Sequence, residues 1–175
     1  DELSLHHPDP AWATHIFQLV DQQRPYLQAW LPWVENTTKV EHTRNFLKEA
    51  RMFNQYGQNL TTFVVLDQQI VGSVAFVRFD KANHSGEIGY WLNQDFQGQG
   101  IISRACQALV NYGFSHHALN RIEIKVARQN TKSRAIPLRL GFVLEGTLRQ
   151  AIFRDQQYYD LDIFGRLAPG SPTSH

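Results

Sequence analysis

Apolar residues in the first third of the chain recur at helical spacing. One helix is predicted over residues 9–23 and another over residues 41–56, on the apolar positions Trp12, Ile16, Leu19, Val20, Phe46, Leu47, Ala50 and Phe53. Gly57 follows the second run and predicts its end. The Trp- and Pro-rich segment "RPYLQAWLPWVEN" lies between the two and predicts a short helix that runs into an irregular loop.

After Asn59 the pattern changes to β-branched and aromatic runs, which predict strands. The first two predicted strands are "TTFVVL" and "IVGSVAFVRF", joined by the turn "DQQ". They are followed by "GEIGYWL" and by the alternating "RIEIKVA". The last two are "FVLEGTLRQAIF" and "YYDLDIFGRL", joined by the turn "RDQQ". Two helices are predicted among them, one in "DFQGQGIISRACQALVNYGF" and one over residues 130–140. With a short edge strand at residues 3–5, this order predicts a single α+β domain over residues 1–167, with a mixed sheet and helices on its faces. Residues 168–175 are predicted to be a disordered tail.

Composition narrows the class of protein. The chain has 175 residues, of which 42% are hydrophobic and 19% charged, as is typical of a soluble globular protein. A net charge of +1 does not indicate a nucleic-acid-binding surface. One cysteine excludes an internal disulfide framework and favours a reducing compartment. With no membrane-spanning apolar run and no signal-peptide pattern, the expected location is the cytoplasm, with no membrane partner.

Gly98 and Gly100 stand where the helix in "DFQGQGIISRACQALVNYGF" begins. One interpretation is a turn that needs glycine only for its backbone angles. The other is an anion site, because backbone N–H groups converge at a helix N-terminus and a side chain there would block a phosphate. The pair lacks the Gly-Lys-Ser/Thr ending of a phosphate loop and the third glycine of the dinucleotide fingerprint.

"QGQG", behind a strand ending in "GYWL" and ahead of an amphipathic helix, resembles the pyrophosphate-binding signature of the GCN5-related N-acetyltransferase (GNAT) superfamily. Gln97 and Gly100 match this signature, and Ile102 stands where it has a small residue. "LNRIEIKVARQNTKSRAIPLRLGFVLEG" and "WLPWVEN" are similar to the branch that modifies the N-terminal alanine or serine of ribosomal proteins. The match covers nearly all of residues 3–167.

The resemblance implies acetyl-CoA as the donor. It also implies a mixed, mostly antiparallel central sheet with helices on both faces, in which the strands containing Tyr90 and Val126 splay apart to admit the pantetheine arm. The residues that it places against acetyl-CoA are Tyr90, Trp91, Leu92, Gln97, Gly98, Gln99, Gly100, Ile101, Ile102, Ser103, Asn130 and Ser133. The pyrophosphate meets the amides of Gln97 to Ile102. The side chain of Ile102 predicts a less open backbone there, but it removes no N–H donor.

Acyl transfer to an amine needs a neutral nitrogen and a donor for the departing thiolate. Glu87, three residues before Tyr90, is the predicted base, acting through a water; the alternative is a strand residue balanced by a nearby cation. Some related enzymes have an acidic residue where this chain has Ile152, so the protein relies on Glu87 or uses its acceptor differently. The resemblance makes Ser133 the acid beside the sulfur and Asn130 a cofactor partner, although Asn130 is also a good helix cap.

The sequence gives a less specific signal for the residues that bind the acceptor than for those that bind acetyl-CoA. Trp30 and Trp33 are predicted to line an acceptor groove together with Tyr26, with a packed aromatic cluster as the alternative. The histidines have no metal-ligand spacing, so no metal site is predicted. Cys106 lies among apolar helix neighbours and is predicted to be buried.

The sequence therefore predicts an acetyl-CoA-dependent N-acetyltransferase that works by direct attack of the acceptor amine on the thioester. The predicted acceptor is the N-terminal amine of a ribosomal protein. Two alternatives stay open: a small-molecule amine such as a polyamine, amino sugar or drug, and a non-catalytic module that binds acyl-CoA. A homodimer is expected because it is common among similar enzymes.

Overall fold

The computed structural model describes residues 2–172. Its helices are α1 (Ala13–Gln22), α2 (Arg24–Leu27), α3 (Trp33–Asn36), α4 (Val40–Gln55), α5 (Ile101–His116) and α6 (Thr131–Arg139), with 3₁₀ turns at Pro10–Trp12 and Gln94–Phe96. Its strands are β1 (Leu3–His6), β2 (Leu60–Leu66), β3 (Gln69–Asp80), β4 (Ser85–Leu92), β5 (Arg121–Ala127), β6 (Val143–Arg154) and β7 (Gln157–Leu167). They form one sheet in the order β1-β2-β3-β4-β5-β7-β6. β4 and β5 are parallel, whereas the β1–β2, β5–β7 and β6–β7 pairs are antiparallel.

These elements confirm the order read from the hydrophobic pattern, and the two predicted hairpin turns have a left-handed backbone. Asp67 and Gln68 adopt φ of 46° and 69° in the turn between β2 and β3. Asp155 and Gln156 do the same between β6 and β7, with φ of 47° and 60°. Paired left-handed residues match the twist of the flanking strands, as in the tight turns of hairpins.

The described residues form two compact units. The N-terminal unit comprises residues 2–75 and 90–105, and the C-terminal unit comprises residues 76–89 and 106–172. Strands β3 and β4 and helix α5 contribute residues to both units. A single domain over residues 1–167 stays a prediction.

The core of the N-terminal unit joins its helices to β2. Helices α1 and α4 contact each other, and α4 also contacts β2. The buried core cluster consists of Ala13, Ile16, Val20, Leu27, Val34, Leu47, Phe63 and Ile70. Trp91 at the end of β4 packs against this cluster, so the core supports the strand that leads into the glycine loop. Phe46, which shares the helical spacing of α4, is half exposed.

The core of the C-terminal unit is built around Phe76, which is fully buried in β3. Two glycines make room for its ring. A Cβ added at Gly86 on β4 would lie 2.8 Å from the ring, and one added at Gly113 on α5 would lie 2.6 Å from it. Cys106, also fully buried in α5, confirms the predicted burial of the single cysteine.

The parallel ladder between β4 and β5 is short. It begins with Ser85 opposite Arg121 and ends with Ile88 opposite Ile124, within the part of the chain that the structure describes. Both strands continue beyond this last pair, β4 to Leu92 and β5 to Ala127. The ladder therefore ends before the segments in which the splayed strands were predicted.

The chain leaves β7 through a turn that is fixed to Asn120. The N–H of Ala168 donates to the Asn120 carbonyl (2.9 Å), and the Ser171 hydroxyl donates to Asn120 Oδ1 (2.8 Å). Residues 173–175 of the predicted tail lie outside the described residues. None of the helices within residues 2–172 combines the length and the hydropathy of a membrane-spanning segment.

Candidate active site

The glycine loop leads directly into the N-terminus of α5. Gly98 and Gly100 adopt φ of 76° and 71°, in the left-handed region that glycine enters without strain. The Gly100 carbonyl accepts the first hydrogen bond of the helix, from the N–H of Arg104 (3.0 Å). A Cβ built at either glycine meets no atom within 4 Å, so the space in front of the loop is open. Since the first N–H groups of a helix have no partner inside it, the loop has the form of an anion cradle.

Ile102 does not obstruct this cradle. Its side chain is 5% exposed and that of Ile101 is 1% exposed, so both belong to the protein interior rather than to the loop surface. The departure from the small residue of the signature thus leaves the backbone donors in place and adds apolar burial at the helix start.

Side chains from the first helices hold the loop within the N-terminal unit. The Gln97 amide donates a hydrogen bond to the Tyr26 hydroxyl. The N–H of Gln94 donates to Gln23 Oε1 (2.7 Å), and Gln23 lies directly between α1 and α2. Tyr26, predicted from sequence to line an acceptor groove, thus also contacts the glycine loop through Gln97.

The end of β4 meets one of the two predicted acceptor tryptophans. The rings of Trp33 and Trp91 lie 6.2 Å apart at an angle of 57°, and Trp33 is 40% exposed. Trp30 is partly buried. β3 approaches the end of β4 closely at Gly72, where an added Cβ would lie 2.3 Å from the Trp91 carbonyl oxygen. The structure thus brings a predicted acceptor residue and a predicted cofactor residue into contact.

In the C-terminal unit, Asn130 and Ser133 lie together at the start of α6. Asn130 is the N-cap, and its Oδ1 accepts a hydrogen bond from the Ser133 N–H (3.4 Å). Both side chains are partly buried. The capping role that the sequence allowed for Asn130 is present, and it fixes the two predicted residues relative to each other.

Glu87 belongs to a set of charged side chains on β3, β4 and β5. Its Oε2 accepts a hydrogen bond from Lys125 Nζ (3.0 Å), with Arg78 Nη2 at 3.7 Å. Glu123 stands directly opposite Glu87 in the parallel ladder, and its Oε2 lies 3.7 Å from the same Lys125 Nζ. Both carboxylates are 21% exposed. Glu87 therefore has the neighbouring cation that the alternative interpretation expected, and Glu123 has nearly the same surroundings.

The charged set extends across β7 to β6 through Arg121. The Arg121 guanidinium donates to Glu145 Oε1 (2.7 Å) and to Glu123 Oε1 (2.8 Å). The hydrogen bond with Glu145 holds the pKa of Arg121 above its usual range and that of Glu145 below its own. Glu145 lies over Gly165 of β7, where an added Cβ would come within 2.5 Å of the carboxylate.

Sequence reasoning missed a buried carboxylate, Asp162 on β7, which is fully buried. Its Oδ2 accepts from Arg134 Nε (2.7 Å), and its Oδ1 accepts from the Thr147 hydroxyl (2.6 Å) and lies 3.3 Å from Arg128 Nε. Burial alone would raise the pKa of Asp162, but the bonds from Thr147 and Arg134 and the charge of Arg128 outweigh it and hold the pKa below its usual value. The available signal was an acid between apolar residues in "YYDLDIFG", since a buried charge needs a partner.

Comparison with known proteins identifies the family. Residues 2–143 match the family described as acetyltransferase (GNAT) domain. This chain belongs to the GNAT acetyltransferase family. The predicted superfamily, the mixed α+β fold and the class of acetyl-CoA-dependent N-acetyltransferase are confirmed.

Three GNAT relatives align over nearly their whole length. The chain is 34% identical to a ribosomal-protein-serine acetyltransferase of Escherichia coli (strain K12), over 95% of this chain and 93% of the relative. A ribosomal L7/L12 alpha-N-protein acetyltransferase, solved with coenzyme A joined to a cysteine by a disulfide, is 30% identical with a TM-score of 0.92, covering 95% of this chain and 94% of the other. A microcin C7 self-immunity acetyltransferase, solved with acetyl-CoA and AMP, is 32% identical with a TM-score of 0.90, covering 95% and 93%.

The predicted site residues of this GNAT chain fall into two groups. The N-terminal unit holds Trp30, Trp33, Tyr90–Leu92 and Gln97–Ser103. The C-terminal unit holds Glu87, Asn130 and Ser133. In the first group the loop is tied to Tyr26 and Trp33 contacts Trp91, and in the second Asn130 is bonded to Ser133.

Proposed function

We propose that this protein transfers the acetyl group of acetyl-CoA to the N-terminal amine of a ribosomal protein, by direct attack of the amine on the thioester. The observation that carries the proposal is the open cradle at the N-terminus of α5, where Gly98 and Gly100 leave space in front of helix N–H groups. The class of acceptor is proposed from the ribosomal-protein-serine acetyltransferase to which the chain is similar over 95% of its length.

Acetyl-CoA supplies the activated acetyl thioester. In our proposal the backbone of Gln97–Ser103 binds its pyrophosphate, and the backbone of Tyr90–Leu92, with Asn130, binds the pantetheine arm. The Ser133 hydroxyl donates a hydrogen bond to the sulfur as negative charge develops on it. Trp30 and Trp33 contact the acceptor.

Glu87 is proposed as the base that takes the amine proton through a water. An α-amine has a pKa of about 8, so roughly a tenth of it is already neutral at pH 7. The base is therefore needed most near neutral pH and least above the pKa of the acceptor. The carboxylate of Glu87 accepts a hydrogen bond from Lys125 Nζ, which fixes the direction of the side chain.

An acceptor panel tests the proposed function. Release of free coenzyme A thiol is followed with peptides that begin with Ser or Ala, with a polyamine and with an amino sugar, against a control without acceptor. We expect the peptides to give the largest kcat/KM. Faster release with the polyamine or the sugar would favour a small-molecule acceptor. Tight acetyl-CoA binding by calorimetry without thiol release from any acceptor would favour the non-catalytic module.

The base is tested with two matched substitutions. Glu87→Gln should lower kcat at pH 7 by about 100-fold, the lower end for loss of a general base, while Glu123→Gln changes it by about 2-fold or less. Glu123 is the control because it has the same exposure and contacts the same Lys125. Affinity for coenzyme A should be unchanged in both. Equal effects of the two substitutions, or a Glu87→Gln defect that does not shrink toward pH 9, would remove Glu87 as the base.

We also propose that the protein is a cytoplasmic homodimer. The location follows from a ribosomal acceptor, and the dimer from its frequency among similar enzymes. Sedimentation equilibrium of the purified protein measures the subunit number, and a monomer at micromolar concentration would contradict the dimer.

A further inference from the structure

The segment that connects β5 to α6 is bracketed by two arginines. Arg128 directly follows β5, and Arg134 lies in the first turn of α6. Asn130 and Ser133 lie between them in the chain. Both arginines reach the same carboxylate, Asp162, through Arg128 Nε at 3.3 Å and Arg134 Nε at 2.7 Å.

Asp162 is anchored independently of these arginines. It lies in β7, paired with Val126 of β5 on one side and with Thr147 of β6 on the other. Thr147 donates its hydroxyl to Asp162 Oδ1 (2.6 Å). Because two strand ladders fix the backbone of Asp162 and a hydroxyl fixes its side chain, the carboxylate is a rigid point to which a loop and a helix can be attached.

Arg134 also contacts an aromatic ring. Its Cζ lies 5.7 Å from the centroid of the Phe164 ring, two residues beyond Asp162 on the same strand. A guanidinium that makes a cation–π contact and an ion pair at the same time has little freedom left. The N–H of Arg128 adds a further link, since it donates to the carbonyl of Asp160 on β7 (2.9 Å).

We propose that Asp162 is a positioning residue for acetyl transfer, which holds the segment 129–133 by its two flanking arginines and thereby places the Ser133 hydroxyl for the sulfur of acetyl-CoA. The inference rests on the proposed role of Ser133. Stability alone gives no reason to choose this arrangement, because replacing a buried ionic cluster by apolar residues is often neutral or stabilising. A donor to a developing thiolate, in contrast, loses about 100-fold in rate when it is displaced by about 1 Å.

Asp162→Asn tests the proposal, because it keeps the shape of the side chain and removes its charge. We expect kcat to fall about 10- to 100-fold, with the KM for the acceptor peptide changed by about 2-fold or less. Glu145→Gln is the matched control, since it also removes a carboxylate that is paired with an arginine in the same unit. It should leave kcat within about 2-fold of the wild-type value.

A double-mutant cycle separates positioning from general destabilisation. If Asp162 acts through Ser133, Asp162→Asn should have no further effect on kcat in a Ser133→Ala background, because the group that it positions is gone. Thr147→Val weakens the same anchor more mildly and gives a second cycle if Asp162→Asn does not fold. Additive losses of kcat in these cycles, or an equal loss of kcat in Glu145→Gln, would overturn the proposal.

The proposed function and the proposed role of Asp162 are contradicted by different results. If the wild-type protein releases no thiol with any acceptor, the function is wrong. If the wild-type protein is active and the cycles are additive, only the role of Asp162 is wrong.

Discussion

Gly113→Ala in α5 sets two known effects against each other. Alanine stabilises a helix interior by about 1 kcal/mol relative to glycine, because glycine loses more backbone entropy on folding. At this position, however, the new methyl group would lie 2.6 Å from Phe76 Cζ and 3.2 Å from Ile122 Cδ1. The first distance is about 1 Å shorter than an ordinary contact between carbon atoms.

The ring of Phe76 has no easy way to move. It is fully buried, it covers Gly86 on β4, and its centroid lies 4.9 Å from that of Phe79. Forcing an extra methyl group into a packed core costs about 1–3 kcal/mol, and the 2.6 Å contact puts Gly113→Ala in the upper half of this range, at about 2–3 kcal/mol. Subtracting the gain in helix propensity of about 1 kcal/mol leaves an expected destabilisation of about 1–2 kcal/mol, which lowers Tm by about 2–8 °C for a chain of this length.

Urea unfolding followed by circular dichroism measures the change, with Gly146→Ala as the control because its Cβ would meet nothing within 4 Å. The double variant Gly113→Ala/Phe76→Leu supplies the decisive comparison. The smaller leucine makes room for the methyl group, so the double variant should be more stable than the sum of the two single effects predicts. A Gly113→Ala protein as stable as the wild type, or additive effects in the cycle, would refute the close-packing argument.

Two further predictions concern the end of β4 and the acid stability of the fold. Gly72→Ala would place a Cβ 2.3 Å from the backbone oxygen of Trp91, which cannot swing away, so we expect a loss of at least about 2 kcal/mol in urea unfolding, against little change for Gly146→Ala. The pKa of Asp162 is lowered in the folded state, so the unfolded chain binds more protons near pH 4. Asp162 therefore contributes its full share to the free energy of unfolding above about pH 5. That contribution is lost as the pH falls through the pKa of Asp162 in the folded state. Unfolding measured between pH 5 and pH 3 should therefore be less pH-dependent in Asp162→Asn than in the wild type, and identical slopes would contradict this.

The parts of the fold that sequence predicted are those that depend on local patterns. "RIEIKVA" alternates apolar and polar residues, and β5 has the alternating burial that this pattern implies. The glycine loop could be predicted for a similar reason, since glycine enters positive φ without strain and both Gly98 and Gly100 adopt it. Phe46 shows the limit of a periodic pattern, because spacing gives the face of a helix but not how far the core extends beneath it.

Contacts between residues far apart in the chain could not be predicted from such local patterns. Asp162 meets Arg134, 28 positions earlier in the chain, because the register of β7 against β5 brings them together. A slip of one residue in that register would turn Asp162 to the other face of the sheet. The residues around Asp162 do not show which distant strand β7 pairs with, so its partners could not be named from the sequence. The pairing of Lys125 with both Glu87 and Glu123 depends in the same way on a parallel ladder between distant segments.

The buried state of Cys106 determines which chemical labels this protein accepts. Burial raises the pKa of its thiol far above the usual range, so the folded protein presents almost no thiolate to a reagent. A thiol-reactive dye added to a turnover assay therefore counts released coenzyme A alone, without a background from the enzyme. For the same reason Cys106 does not form the coenzyme A disulfide seen in the related ribosomal acetyltransferase while α5 is folded. A single cysteine introduced at the surface becomes a unique attachment point for a fluorophore or spin label, which opens the protein to distance measurements without removal of its native thiol.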